Sequence, residues 1–371
     1  MTLEIRLLRN DEHNSVIDFF NNAQSIDHKE QKDFRTPEIF DWEFCKGPWG
    51  KAIYVVAVDN TDAKNPKIIG TQCAIPISMI TNDGKEILTG KSEDVYVDIR
   101  GMRSFKGRDI LKEIHELLVA ECAKAGMRYL WGITNIVATH HRLGFEMVAK
   151  SHQGILVLKP AFAYRYLIQL NSRNTWKEKL KIRALSYLSK ISGMKRLFVS
   201  GQLAKYQIVD RIFDNAELMQ TISTNGEKYL MLRQNSDYLN WRMFGNPAGI
   251  QYKIRQLVAD EKLYGEIVYS QRNGIAFIEQ MLFDAKLTGK EKYAFIKSII
   301  NEITLAEAPI IRFTGYNHTA INRLEMNLLK SLGFMFVPRG IWFAVKPVGQ
   351  PENDNQTHQF HLTRLYTQGI I

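Results

Sequence analysis

Cysteine is scarce in this sequence: three residues in 371, Cys45, Cys73 and Cys122, far apart and without a CxxC pair. That spacing excludes a disulfide framework and a zinc site of the usual pattern, and leaves reduced thiols as the expectation. Long apolar runs are missing too, and none approaches the ~20 residues that a bilayer-crossing helix needs. The opening residues, MTLEIRLLRNDEH, carry acids where a signal peptide would keep an unbroken apolar core, so a cytoplasmic location is expected. Nor is there a strong polar bias, since 45% hydrophobic and 24% charged residues exclude a disordered or fibrous chain. The length exceeds what one core commonly serves, which points to two domains.

What the chain has in excess is positive charge, +10 in all, and it is concentrated. Between Arg173 and Arg211 stand ten Lys/Arg against two acids, while the remainder is close to neutral. This distribution describes one basic connector, not a broad nucleic-acid footprint, and no nucleic-acid partner is expected. Within the segment Trp176, Leu180, Ala184, Leu188, Ile191, Met194 and Phe198 recur at helical spacing among lysines, which makes a basic amphipathic helix. Such a helix suits peripheral membrane contact through 176–198 or a connector packing its apolar side on the domains. The second is expected, because most amphipathic helices of soluble proteins do this.

The sequence repeats itself. PEIFDWEFCKGP at 37–48 is matched by SDYLNWRMFGNP at 236–247, with Trp42 and Trp241 in equivalent places. Each segment precedes an apolar strand, 52–58 or 252–259, then a turn and a second strand opened by Gly70 or Gly265, which reads as a hairpin. Further on, YLWGITN at 129–135 leads to Leu143-Gly144-Phe145, and IRFTGYN at 311–317 leads to Leu332-Gly333-Phe334. Three signals in the same order indicate a duplication. Between them lies a strand at 91–97 and an amphipathic helix from about Asp109 to Lys124, whose Ile110, Leu111, Ile114, Leu117, Leu118 and Cys122 share one face. Strand, helices, hairpin, strand, loop, helix, strand, helix, strand is an α/β pattern with a mixed sheet.

In these residues the chain resembles the GCN5-related N-acetyltransferase (GNAT) superfamily, in its tandem bacterial arrangement. The resemblance implies an α/β fold of two GNAT-like domains, each a mixed, mostly antiparallel twisted sheet flanked by helices. The domains expected are 1–165 (acyl-coenzyme A binding), a basic helical connector 166–204, a degenerate second domain 205–348 and a tail 349–371. The tail's stretch from His361 to Thr367 is read as a docking strand. The implied activity is acyl transfer from acetyl-coenzyme A, or another acyl-coenzyme A, to a small amine such as an amino sugar or amino-acid derivative. A pair of degenerate domains that binds acyl-coenzyme A or a protein without turnover is the alternative.

The loop after the central strand matches the family's pyrophosphate loop at VYVDIRGMRSFKGRDIL, 95–111, with its two glycines further apart than the family's compact arrangement. A loop feeding a helix N-terminus collects unpaired backbone donors and the positive end of the helix dipole, which suits a pyrophosphate. Val95, Tyr96, Val97, Arg100, Gly101, Arg103, Lys106, Gly107 and Arg108 are the candidate cofactor residues. Asn135 joins them as the family's pantetheine contact, or serves as a helix N-cap. For catalysis the resemblance places His140 where the family often has a tyrosine acid, with His141 as fallback. The base is expected from Glu93 or Asp94, which strand alternation would point to opposite faces. The second copy has one glycine in the corresponding loop and Leu329 in place of His140, so it is expected to have lost the cofactor and to shape the acceptor pocket or the interface.

Overall fold

The structure, a computed structural model, describes residues 2–27, 35–81, 83–98, 105–169, 175–195, 201–203, 205–211, 213–222, 229–349 and 359–364. The first half runs β1 (Leu3–Leu7), α1 (His13–Asp27), α2 (Pro37–Phe40), β2 (Ile53–Asp59), β3 (Lys67–Thr81), β4 (Glu86–Val97), α3 (Ile110–Lys124), β5 (Tyr129–Thr134), α4 (Val137–Arg142) and β6 (Glu146–Val157). Helices α5 (Pro160–Gln169) and α6 (Trp176–Gly193) follow. The second half runs β7 (Gln207–Asp210), α7 (Ala216–Thr221), β8 (Tyr229–Leu232), α8 (Ser236–Leu239), β9 (Gln251–Ala259), β10 (Lys262–Arg272), β11 (Ile275–Phe283), α9 (Gly289–Leu305), β12 (Ile310–Tyr316), α10 (Ala320–Ser331), β13 (Met335–Pro347) and β14 (Gln359–Phe360).

Local chemistry sets these elements. Asp109 caps α3 by accepting the Lys112 N–H, and the apolar stripe from Ile110 to Cys122 is buried on β2 and β3. Thr36 caps α2 ahead of Pro37, whose fixed φ suits a first helical turn. Gly144 and Gly333 end α4 and α10 with φ of +82° and +97°, a conformation that glycine adopts without steric cost.

The two halves share one sheet, in the order β1-β2-β3-β4-β5-β13-β6-β12-β11-β10-β9-β7. Each half contributes five strands in sequence-equivalent order and then exchanges its last one. Strand β13, from the second half, pairs with β5 of the first, while β6 pairs with β12 of the second. The exchanged strands are antiparallel to each other. Neither half can close its sheet alone, so the halves form one cooperative body. Helix α3 covers the first half's outer face and α9 the second's, and the core on the opposite face mixes residues of both halves.

At the centre of that shared face the repeated tryptophans meet. Each lies in a π-helical turn, Asp41–Cys45 or Asn240–Phe244, directly after α2 or α8. Trp42 Nε1 donates to the carbonyl of Trp241 at 2.7 Å, Trp241 Nε1 donates to that of Trp42 at 2.7 Å, and the rings stack 5.2 Å apart. This reciprocal pair marks a pseudo-twofold axis, and contributes about 0.5–1.5 kcal/mol per hydrogen bond and a similar amount from stacking.

Two expectations need correction. Helix α6 does not turn its apolar side to the domains: Ser186, Ser189 and Gly193 face the protein, and Trp176, Leu180, Leu188 and Ile191 face outward. Phe198 lies outside the described residues. The tail docks earlier and more briefly than expected, as β14 at Gln359–Phe360 parallel to β8. His361 to Arg364 follow, buried, with the His361 N–H donating to the Leu230 carbonyl and Leu362 held by Asn322; Leu365 to Thr367 lie outside the described residues.

Candidate active site

Strands β4 and β5 run parallel for only two pairs, Gly90 with Leu130 and Lys91 with Trp131. Beyond that point β4 continues to Val97 with no further pair to β5 among the described residues, so the strands fork. A pocket opens at the fork's base, lined by Lys91 and Trp131 of the two strands, Trp42 and Glu43 of the π-helical turn, and Trp241 and Arg242 from the other half.

A β-bulge decides which side chains reach it. Cys73 pairs with Glu93 and Thr71 with Tyr96, so β4 carries one residue more than β3 between these pairs. Asp94 takes φ +55° to accommodate it. The bulge cancels the alternation on which the sequence reading relied: Glu93 and Asp94 turn to the same side. Val95 and Val97 pack toward α3, and Tyr96 packs on Phe19 and Phe20 across the sheet.

The two acids are held differently. Arg35 grips Asp94 through two hydrogen bonds, 2.6 and 3.0 Å, and the Tyr54 hydroxyl donates to the same carboxylate at 2.6 Å. The Arg35 guanidinium is sandwiched by the Phe20 and Phe44 rings, with centroids at 4.7 and 4.9 Å. Asp94 is thus committed to fixing the bulge. Glu93 pairs with Lys91 at 2.6 Å and is half-buried.

Glu43 is the acid that the sequence reading missed. It is buried in the pocket wall, and burial raises its carboxyl to about 7, with Lys91 pulling the other way and Glu93 adding to the rise. A carboxyl of that strength is half-ionised near neutrality, where a general base works best. The signal was present in the repeat: after the matched tryptophans one copy has Glu43 and the other Arg242, a charge reversal at an equivalent position.

His140 lies elsewhere. Its Nδ1 is 3.2 Å from the carbonyl of Ile136 and 3.0 Å from Thr134 Oγ1, and burial lowers its pKa. In the tautomer protonated at Nδ1 the ring gives that N–H to the Ile136 carbonyl, and in the other Nδ1 accepts from the Thr134 hydroxyl. It packs on Phe145 beside His115, on the α3 side of the sheet, and is not brought together with Glu93 or Asp94. His115 bridges Gln72 Oε1, at 3.1 Å, and Lys346 Nζ of β13, at 2.9 Å. Burial and Lys346 push its pKa down to about 3, so this link across the exchanged strand is a neutral one. His141 is exposed at the end of α4.

Of the candidate cofactor residues, Arg100, Gly101 and Arg103 lie outside the described residues. Lys106 and Gly107 are exposed just before α3, and Arg108 is engaged by the Glu113 carboxylate. Asn135 is exposed at the end of β5 and does not cap α4, whose N-cap position is Ile136 without a side-chain cap; Thr134 Oγ1 accepts the Ile136 N–H in the turn before the helix. In the second half the equivalent helix start is closed: Thr288 and Glu291 form a reciprocal capping box on α9. Strands β11 and β12 run parallel for four pairs, Ile275 with Ile310 to Ile278 with Phe313, and β11 goes on to Phe283, which makes the second fork. Arg364 lies at its base, 3.8 Å from the Phe277 ring centroid, and pairs with Glu279 at 3.4 Å. Among the described residues no cluster of His, Cys, Asp or Glu is suited to a metal ion.

No family model and no curated protein matches the sequence. Solved structures do match. A GCN5-related N-acetyltransferase from Anabaena variabilis aligns over 94% of this chain and 73% of its own, with TM-score 0.57 and 10% identity. A tandem GNAT protein from the clavulanic acid biosynthesis pathway aligns over 95% and 100%, with TM-score 0.52 and 12% identity. The N-myristoyltransferase of Saccharomyces cerevisiae aligns over 99% and 87%, with TM-score 0.54 and 11% identity. At this identity the architecture is what is shared, and with the two forked half-sheets it establishes that the chain has the tandem GNAT fold.

Proposed function

We propose that the protein is an acyl-coenzyme A-dependent N-acyltransferase whose reaction takes place in the first half, with Glu43 as the general base. The observation that carries this reading is a buried carboxyl of near-neutral pKa in a pocket at the fork of β4 and β5. The edge of β4 from Val95 to Val97 that faces away from β3 offers a side for a pantetheine arm lying in the fork, and the loop of Arg100, Gly101, Arg103, Lys106 and Gly107 offers charge and backbone N–H groups to a pyrophosphate. Asn135 stands at the fork's mouth. A thioester threaded this way would present its carbonyl beside Lys91 and Trp131.

Glu43 takes the proton from the acceptor's ammonium and releases it to solvent, the freed amine nitrogen attacks the thioester carbon, and the nitrogen gives its second proton to Glu43 as the carbon–sulfur bond breaks. Glu43 passes that proton to the departing thiolate, so that amide, thiol and one proton in solution are the products. Lys91, paired with Glu93, supplies a positive charge near the developing oxyanion, and Asp94 acts through Arg35 and Tyr54 to keep the bulge, and so the fork, in shape. The acceptor proposed is a small amine, such as an amino sugar or amino-acid derivative, admitted where the two halves meet at Trp42, Trp241 and Arg242.

Calorimetric titration of acetyl-coenzyme A into the protein and into an Arg100→Ala/Lys106→Ala variant tests the cofactor site, followed by thiol release across a panel of amines. Binding that the variant loses, together with amine-dependent thiol release that Glu43→Gln loses, is the expected result. Binding without release for any amine would favour a non-catalytic pair of domains, and no binding would remove the reading.

A further inference from the structure

Helix α6 is built inside out for a connector. At 100° per residue Ser186, Ser189 and Gly193 fall on one side, and Trp176, Leu180, Tyr187, Leu188, Ile191 and Met194 fall roughly opposite. The small side is seated on the protein: Ser189 Oγ accepts the Val157 N–H at 3.2 Å, a Cβ on Gly193 would meet Leu156 at 2.9 Å, and a Cβ on Gly333 would run into the Ser192 carbonyl. That close fit fixes the helix's rotation, so the outward direction of the other side is set by packing. The six large apolar side chains on it are 50–70% exposed. Burying even one such side chain from water is worth about 1.5–3 kcal/mol, so leaving six in one stripe opposes stability in water unless something covers them.

The charges beside the stripe say what covers it. Lys181 flanks one edge, with Lys177 and Lys195 on the same side at the helix's two ends, and Lys179, Arg183 and Lys190 flank the other. The helix's single acid, Glu178, sits toward the protein and is within 3.5 Å of Lys181. An apolar stripe with a tryptophan, bordered on both sides by cations and backed by a flat polar seat, complements a surface with an apolar interior and anionic headgroups. We infer that α6 docks the protein on an anionic membrane surface, lying in the plane of the interface with Trp176, Leu180, Leu188 and Ile191 inserted among the acyl chains. The inference is independent of the chemistry at the fork.

The test is co-sedimentation of the full chain with vesicles of phosphatidylcholine alone or mixed with phosphatidylglycerol, at low and raised salt. The wild type is expected to pellet with the mixed vesicles, less so at raised salt, and weakly with phosphatidylcholine. The Leu180→Ser/Leu188→Ser/Ile191→Ser variant should lose about tenfold or more of that binding. Its substitutions are all on exposed positions, so an unchanged circular dichroism melt checks that the fold is kept. A wild type that stays in the supernatant with both vesicles overturns the inference, as does a triple variant that pellets equally well. So does a wild-type dimer in sedimentation velocity that the triple variant converts to monomer, because the stripe would then be covered by a second copy.

Discussion

The two forks of the sheet arise from the same succession of elements, yet they are furnished in opposite ways. The first gathers three carboxylates, Glu43, Glu93 and Asp94, with two cations, Lys91 and Arg35, around a pocket. The second surrounds one carboxylate, Glu279, with Arg272, Arg312 and Arg364, and the last of these comes from the tail and occupies the fork. At the axis between them the reversal is reduced to one pair of equivalent positions, Glu43 and Arg242. The comparison teaches that duplication preserved the scaffold while side chains on one face of it diverged, one fork keeping a pocket beside Glu43 and Lys91 and the other receiving Arg364 from the tail.

The sharpest way to break the comparison is to neutralise Glu43. Glu43→Gln should lower turnover about 10²–10⁴-fold with acyl-coenzyme A affinity retained, as read by thiol release and calorimetry. Wild-type activity should rise with pH through about 7 as Glu43 ionises. Stability moves the other way. A carboxyl whose folded pKa is raised from 4.5 to about 7 favours the folded state fully below pH 4.5 and loses that contribution as pH rises to 7. Glu43→Gln, neutral throughout, should therefore be more stable than wild type at pH 8, by up to about 3 kcal/mol in urea unfolding. An inactive variant that was also destabilised at pH 8 would point to a structural role.

In the second fork, removing the lone acid should hurt most. Glu279→Gln leaves the buried Arg364 facing the half-buried Arg272 and Arg312 and is expected to cost about 3–5 kcal/mol, whereas Arg364→Met removes one cation of several and should cost less. Equal losses would mean that the arginine surplus is answered elsewhere. The link between halves is next. His115, held neutral with its pKa pushed down to about 3, supports stability above pH 6.5 and loses that support as pH falls toward 3. A fall of about 2–3 kcal/mol between pH 7 and pH 4, flattened in His115→Gln, is the expected outcome of pH-dependent unfolding. The smallest effect belongs to the matched glycines. Gly144→Ala should cost about 1–2 kcal/mol for its positive φ, and Gly333→Ala more, because its Cβ also meets the Ser192 backbone.

Much of the fold was legible in the sequence. The repeated Trp segments, the hairpins, the amphipathic α3 and the two Leu-Gly-Phe turns are local signals, and periodicity and turn chemistry report them wherever the elements end up. The tail was read only roughly, because two residues of strand on β8 and one residue, Leu362, held by Asn322 carry no periodic pattern. The site was legible in location and not in membership. Asp94 and Glu93 were assigned to opposite faces because alternation holds until a bulge interrupts it, and a bulge is visible only when β4 is set beside β3. His140 has the spacing of a catalytic residue, but the fold seats it beside Phe145 on the α3 side of the sheet, away from the pocket's lining.

By itself the sequence determined that the chain is duplicated, that each copy is α/β with a loop feeding a helix after its central strand, and that one basic amphipathic helix joins them. These follow from short-range constraints of backbone geometry, capping and apolar spacing. Tertiary structure alone decided that β6 and β13 change places, that Glu43 is buried beside Lys91 so that its carboxyl titrates near neutrality, and that α6 turns its small residues inward. Each depends on which surfaces meet across distant segments, where desolvation, close packing and neighbouring charge act and no local pattern records the outcome.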